Sequence, residues 1–309
     1  MIGKRRFDED RLVWIMGSSR SGSTWLLRML AELDGVVPID DPHIGHHLGL
    51  WRPIPLAWAS ASEEPELTTL RELKGDKPGY FFADRYAATW RPHLRELIRA
   101  RFAVQAAEGG HRKPLVVVKE PGSQAAGWLL SLFPRSRLVF LLRDGRDVVD
   151  SWLAAYREGA WAQEEGAFPL AEHGREAFIR WQASVWAYRT RAVASAYDAH
   201  DAARRVLVRY EDMIQKPSSA LARICAMLGV KAGPDELAAI AAAHDIDAVP
   251  TDERGADQPV RNGCSGGWRH NLDAHERRVM LEALGPDLAR FGYLSSAKLT
   301  QARPLEPAA

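Results

Sequence analysis

Cysteine is scarce in this chain: two residues, Cys225 and Cys264, in 309. Two thiols cannot build a disulfide framework, so a reducing compartment, the cytoplasm, is the expectation. Net charge is scarce as well. Lys plus Arg is 41 and Asp plus Glu is 40, a formal charge of +1. That argues against a nucleic-acid partner gripped by bulk positive charge, although a local basic pocket survives the sum. Long apolar runs are lacking, since none approaches the about 18 residues of a membrane span. The opening stretch, MIGKRRFDEDRLVWIMG, has a short apolar segment running into a glycine-serine loop, so no signal peptide is expected there. Internal repeats and low-complexity segments are missing too. Collagen, coiled coil, disulfide miniprotein and membrane protein are disfavoured as classes. What remains is a globular chain long enough to bury a sizeable core. Tryptophan is the plentiful residue, at 11, and needs a use.

Four short apolar runs, 12–16, 115–118, 138–142 and 206–208, are rich in Val, Leu and Ile without clean alternation. That is the pattern of strands covered on both faces. Helical patterns follow the first three, at 24–33, 124–133 and 148–156. Strands alternating with helices imply an α/β fold, a central parallel sheet flanked by helices. Ligands of such sheets sit at the carboxyl ends of the strands. The expected organisation is one domain over 1–295, followed by a loose polar tail over 296–309. Two segments depart from the alternation. Residues 40–110 are rich in Pro and Trp, show weak strand signals, and read as a loop-and-helix insertion. Residues 152–190 hold Trp152, Tyr156, Trp161, Trp181, Trp186 and Tyr188 in a helical context. Those rings either pack helices together or line an apolar pocket.

Three loops concentrate the chemistry. The first is Gly17-Ser18-Ser19-Arg20-Ser21-Gly22-Ser23-Thr24-Trp25, after the first strand. Its spacing resembles the phosphate loop G-x-x-x-x-G-K-[ST], with Ser23 at the lysine position. Glycines let successive N–H groups turn onto one anion, and the following helix adds its positive end. With its cation displaced to Arg20, the loop suits a single 5′-phosphate bearing a transferable group better than a magnesium-bound pair. The second loop begins with Arg143 at the end of the third strand and reaches Ser151 in the next helix. Arginine fork and hydroxyl together suit a second phosphate. Asp144, Asp147 and Asp150 lie between them and are expected to face elsewhere. The third loop runs from Arg261 through Asn262, Gly263, Gly266 and Gly267 to Trp268 and Arg269, a glycine-rich lid carrying cations and an aromatic ring.

In this order the loops resemble the sulfotransferase family, which uses 3′-phosphoadenosine 5′-phosphosulfate (PAPS). The first loop resembles that family's 5′-phosphosulfate motif. The second resembles its 3′-phosphate motif, and the third its lid, altered at Asn262, Gly267 and Arg269. Val208-Arg209-Tyr210-Glu211-Asp212 resembles the family's Tyr-Glu-Asp segment. The resemblance runs from about Leu12 to Trp268. It implies a phosphate-loop-like sulfotransferase fold with PAPS as co-substrate and no metal. It also implies residue roles. Arg20, Ser21, Gly22, Ser23 and Thr24 hold the phosphosulfate; Trp25 and Tyr210 lie by the adenine. Arg143 and Ser151 take the 3′-phosphate, with Arg261, Asn262 and Gly263 closing over it.

Sulfuryl transfer also needs a base for the acceptor's proton and positive charge at the oxygens that gain charge. Lys119 resembles a family lysine near the sulfuryl group. Pro121 stands where cytosolic members carry a histidine, so that base is not carried over. Other branches place a carboxylate some twenty residues past the loop cation, which here is the segment Asp40-Asp41-Pro42-His43. Asp41 is the first candidate for the base, His43 the second and Glu120 an outside one. The trio His43, His46 and His47 is too slight a set to argue a metal site. The implied partner is a small acceptor with a hydroxyl or amine, partly apolar or aromatic, and the oligomeric state stays open. The competing readings are a phosphate-loop kinase or nucleotide hydrolase, and a nucleotide-binding module without catalysis.

Overall fold

The computed structural model describes residues 8–47, 53–57, 65–157, 160, 162, 170–250 and 263–295. Its strands are β1 Leu12–Met16, β2 Val36–Asp40, β3 Pro53–Ala57, β4 Glu66–Thr69, β5 Leu115–Lys119, β6 Arg137–Leu142 and β7 Arg205–Arg209. Five form one sheet in the order β2-β5-β1-β6-β7, and β3 and β4 form a separate pair. All four pairings in the large sheet are parallel. The four runs read as strands are β1, β5, β6 and β7. The chain divides into two compact units. One comprises Met1–Ile54, Thr68–Leu142 and Ala192–Ala248; the other comprises Pro55–Leu67, Arg143–Arg191 and Val249–Ala309.

The first unit is built around the large sheet. Every residue of β1 and β5 is buried, which is why neither strand alternates in sequence. On one face Val13 and Ile15 pack with helix α1, Ser23–Ala31, through Leu26, Leu27, Met29 and Leu30. On the other face the Trp14 indole donates to Ser136 Oγ at 3.1 Å and lies 6.0 Å from the rings of Phe102 and Phe133. Strand β2 escapes a sequence reading because Pro38 interrupts it. Proline has no N–H for a ladder and is tolerated on an edge strand, which β2 is. Short helices α2, Ile44–His47, and α3, Leu70–Lys74, follow, and then α4, Ala87–Glu108, a 22-residue helix inside the segment read as loop and helix. Helix α5, Ala126–Leu132, joins β5 to β6.

In the second unit, helix α6, Gly145–Ala155, starts three residues before its sequence pattern, with Asp144 as N-cap accepting from Arg146 N–H at 2.9 Å. Helix α7, Leu170–Ala199, belongs to this unit as far as Arg191 and is broken at Gly174. Trp186 on α7 is packing, not pocket. It is 1% exposed, donates from Nε1 to Arg143 O at 3.2 Å, and lies against Gly145, where an added Cβ would sit 2.7 Å from the indole. Tyr156 packs on Phe178 at 5.1 Å, and Trp152, Trp181 and Tyr188 are half-buried. Trp161 lies outside the described residues, as does 296–309. Among the described residues no helix is long and apolar enough to cross a membrane.

Candidate active site

Strand β1 ends at Met16 and α1 begins at Ser23, so residues 17–22 turn at the carboxyl end of the sheet's middle strand. The turn needs left-handed backbone twice, at Arg20 (φ 65°) and Gly22 (φ 86°). Gly22 is the N-cap of α1 and offers no side chain to cap it. The first backbone bond of the helix is Leu26 N–H to Gly22 O at 3.0 Å. The N–H groups of Ser23, Thr24 and Trp25 therefore have no intrahelical acceptor, and they carry the positive end of the helix dipole. Ser21 is 1% exposed, and its Oγ has no hydrogen-bond partner. A buried donor left orphaned beside uncapped amides fits a loop made to meet an anion's oxygens.

Tyr210 and Trp25 brace this loop. Tyr210 opens the helix after β7 and is 6% exposed; a Cβ on Gly22 would lie 2.7 Å from its ring. Its ring meets Trp25 edge-on at 6.3 Å. The Trp25 indole N–H is committed to His244 O at 2.7 Å. Any contact the Trp25 ring makes with a base is through its face and edges, since its indole donor is already used.

A second cluster forms where β5 and β2 end. Asp40 stands opposite Lys119 in the parallel register. The Lys119 ammonium donates to Thr24 Oγ1 and pairs with Asp40 Oδ1 and Asp41 Oδ2, each at 2.7 Å. Asp41 Oδ1 has no hydrogen-bond partner. Asp41 and His43 both have left-handed backbone, φ 43° and 47°. Among the described residues, Arg20, Asp41 and His43 are the three non-glycine residues with positive φ. Each such residue costs about 1–2 kcal/mol, and strain of this kind concentrates at functional sites. The His43 ring lies 5.9 Å from that of His46. Glu120 is 2% exposed, and both its oxygens are used. Oε2 accepts from Ile44 N–H at 3.1 Å and Oε1 from Gly122 N–H at 2.9 Å. Burial pushes its pKa up against those two bonds. Glu120 thus pins the start of α2, with His43 and His46, to the end of β5. Among the described residues no group of three His, Cys, Asp or Glu is placed to hold a metal.

The second unit carries the other two loops. Arg143 and Ser151 are 9% and 5% exposed. Arg143 Nη2 donates to Cys264 O at 3.2 Å, so the arginine already touches the third loop. The three aspartates between them are each engaged. Asp144 forms an ion pair with Arg146 at 2.7 Å. Asp147 accepts from Gly266 N–H at 2.7 Å, and burial raises its pKa. Asp150 accepts from Asn271 Nδ2 at 3.0 Å. Trp268 is flanked by Arg146 and Arg269, whose guanidinium carbons lie 4.3 and 4.6 Å from its ring centre. Gly263 has φ 58°; Arg261 and Asn262 lie outside the described residues. Asp40 and Trp186, which hold the candidate site residues Lys119 and Arg143 in place, carry no motif of their own. A register or a helix contact is needed to see them.

The comparisons with known proteins agree with this chemistry. A family model described as the sulfotransferase family matches residues 13–234. No curated protein matches the chain. Among solved structures, sulfotransferase STF9 from Mycobacterium avium is similar at 14% identity, with a TM-score of 0.52 over 92% of this chain and 77% of that one. Mouse sulfotransferase SULT7A1 complexed with PAP is similar at 13% identity, TM-score 0.51, over 96% and 89%. The sulfotransferase domain from the curacin biosynthetic pathway is similar at 16% identity, TM-score 0.50, over 91% and 97%. At these identities the likeness of structure establishes the fold; the family match establishes the class. The chain belongs to the sulfotransferase family, enzymes that move a sulfuryl group from PAPS to an acceptor and release adenosine 3′,5′-bisphosphate (PAP).

Proposed function

We propose that Asp41 is the base of this sulfotransferase and that Lys119 and Arg20 supply the charge. The loop residues Ser21 to Thr24 receive the 5′ phosphosulfate on uncapped amides and hydroxyls, and Trp25 lies by the adenine. Arg143 and Ser151 take the 3′-phosphate, assisted by Arg261, Asn262 and Gly263, and Tyr210 helps form the adenine site. The proton of an acceptor hydroxyl or amine passes to Asp41. His43, two residues on, is the second candidate for that proton. The observation that carries the reading is the triple contact of Lys119, which joins Thr24 of the anion loop to a carboxylate with one oxygen still free of partners. The acceptor is a small molecule, partly apolar or aromatic, and the enzyme works in the cytoplasm, as a chain with two free thiols suits.

The test is a thermal melt with PAP beside ATP and magnesium, then with Asp41→Asn. PAP should stabilise the protein and ATP should not. Asp41→Asn should keep the PAP response and lose conversion of PAPS to PAP. A response to ATP alone would restore the kinase or hydrolase reading. Full turnover by the variant would remove Asp41 and leave His43 to be tested in the same way.

A further inference from the structure

Lys119 has more counter-charge than the transfer reaction asks of it. An ammonium has three N–H donors, and here all three have partners. If Lys119 is to meet the oxygens that gain charge, one partner must let go. If Asp41 is to take the acceptor's proton, it must turn toward the acceptor. A single change satisfies both conditions, the release of Lys119 by Asp41.

The two aspartates are unequally placed for that change. Asp40 is the last residue of β2, paired by the sheet opposite Lys119. Asp41 is the first residue beyond the strand, in a left-handed conformation, and its second oxygen has no partner. Asp40 is therefore fixed by the ladder, whereas Asp41 sits in the turn. We infer that Asp40 is a positioning residue. It keeps the Lys119 ammonium in place during transfer, when Asp41 is drawn to the acceptor. The inference rests on the roles proposed above for Lys119 and Asp41. In the step itself, the acceptor's proton goes to Asp41 and the electron pair it leaves forms the new bond to sulfur. The bond from sulfur to the 5′-phosphate oxygen breaks, and its electron pair stays on that oxygen. Lys119, still held by Asp40 and Thr24, turns its freed N–H to the oxygens gaining charge. Asp40 touches neither substrate.

The experiment compares Asp40→Asn with the wild type for melting temperature, PAP affinity, and PAP formation from PAPS with 4-nitrophenol as acceptor. Asp40 is 53% exposed, so the variant should fold. Turnover at saturating PAPS should fall on the order of tenfold, the effect of losing one hydrogen bond between charged groups. Melting temperature and PAP affinity should hold. Unchanged turnover overturns the inference, and so does a PAP affinity that falls as far as turnover does, because the residue would then be merely structural. The 15N resonance of the Lys119 ammonium in the PAP-bound protein gives a reading that needs no acceptor. It should persist in Asp41→Asn and be lost in Asp40→Asn; the opposite order overturns the inference. A wild type that ignores PAP would overturn the sulfotransferase roles themselves, and that failure appears before any variant is made.

Discussion

Ser21 should act with opposite signs in the free and the ligand-bound protein. Its side chain is buried and its Oγ has no partner. An unsatisfied buried polar group costs about 1–3 kcal/mol. Ser21→Ala deletes that atom and leaves a methyl that fits the same space, so the free protein should gain about 1 kcal/mol. For a chain of 309 residues that is a rise of about 2 °C in Tm. The bound protein loses a hydrogen bond to a charged phosphate oxygen, about 1.4 kcal/mol at the low end, which weakens PAP about tenfold. At a PAP concentration of about 100 times the wild-type Kd, the wild type is stabilised by about 2.7 kcal/mol. The variant, at about ten times its own Kd, is stabilised by about 1.4 kcal/mol. The free variant therefore melts higher while its PAP shift halves. Thermal melts across a PAP titration measure both quantities on one sample. A free variant that melts lower, or one that keeps the full PAP shift, refutes the reading of Ser21 as a donor waiting for an anion.

Two further outcomes follow from local geometry. Gly22→Ala combines left-handed strain of about 1–2 kcal/mol with overpacking of about 1–3 kcal/mol against Tyr210. Its chemical denaturation midpoint should fall, and adding Tyr210→Leu should recover part of the loss; no recovery would mean that strain alone is responsible. Burial raises the pKa of Glu120, so in the window above its ordinary value of 4.5 the native state holds a proton that the unfolded state has lost. Stability from this group therefore falls as pH rises through that window. Glu120→Gln cannot titrate, so its stability deficit against the wild type should narrow as pH rises above 4.5. Urea melts across that range check the sign, and a widening deficit contradicts it.

The parts of this fold that can be read from sequence are those whose residues report on near neighbours. Strands β1, β5 and β6 are apolar because both their faces are covered, and burial along nearly all of each leaves a run that is easily seen. Strand β7 is a half-buried edge strand, and its run is correspondingly short. Strand β2 carries Pro38 and exposed Asp40, and only its place at the sheet edge makes that sequence a strand. The phosphate-loop spacing shows where an anion belongs. It does not show that Ser21 is orphaned or that Tyr210 presses on Gly22, because that contact closes a separation of nearly two hundred residues. Trp186 reads from sequence as core or as pocket lining, and its contacts with Gly145 and Arg143 decide for core. The left-handed conformation of Arg20 has no sequence signal, since Arg is not a residue that favours that region, whereas Asp41 and His43 are of types enriched there.

These observations bear on one question, how a phosphate loop without its lysine neutralises charge. Ser23 stands at the lysine position, so no cation enters from the start of α1. A cation is supplied instead by another element, as Lys119, which arrives from β5 and reaches Thr24 across the parallel β1–β5 pairing. A cation brought in from a neighbouring strand is not covalently tied to the loop. Something must fix it, and the edge strand beyond β5 supplies Asp40 at the matching register. An edge strand is suited to the task because its end is open to solvent, where two carboxylates side by side cost less than they would inside the sheet. Moving the charge from loop to strand thus couples the anion site to β2. The base candidate Asp41 lies one residue beyond the point where that strand stops.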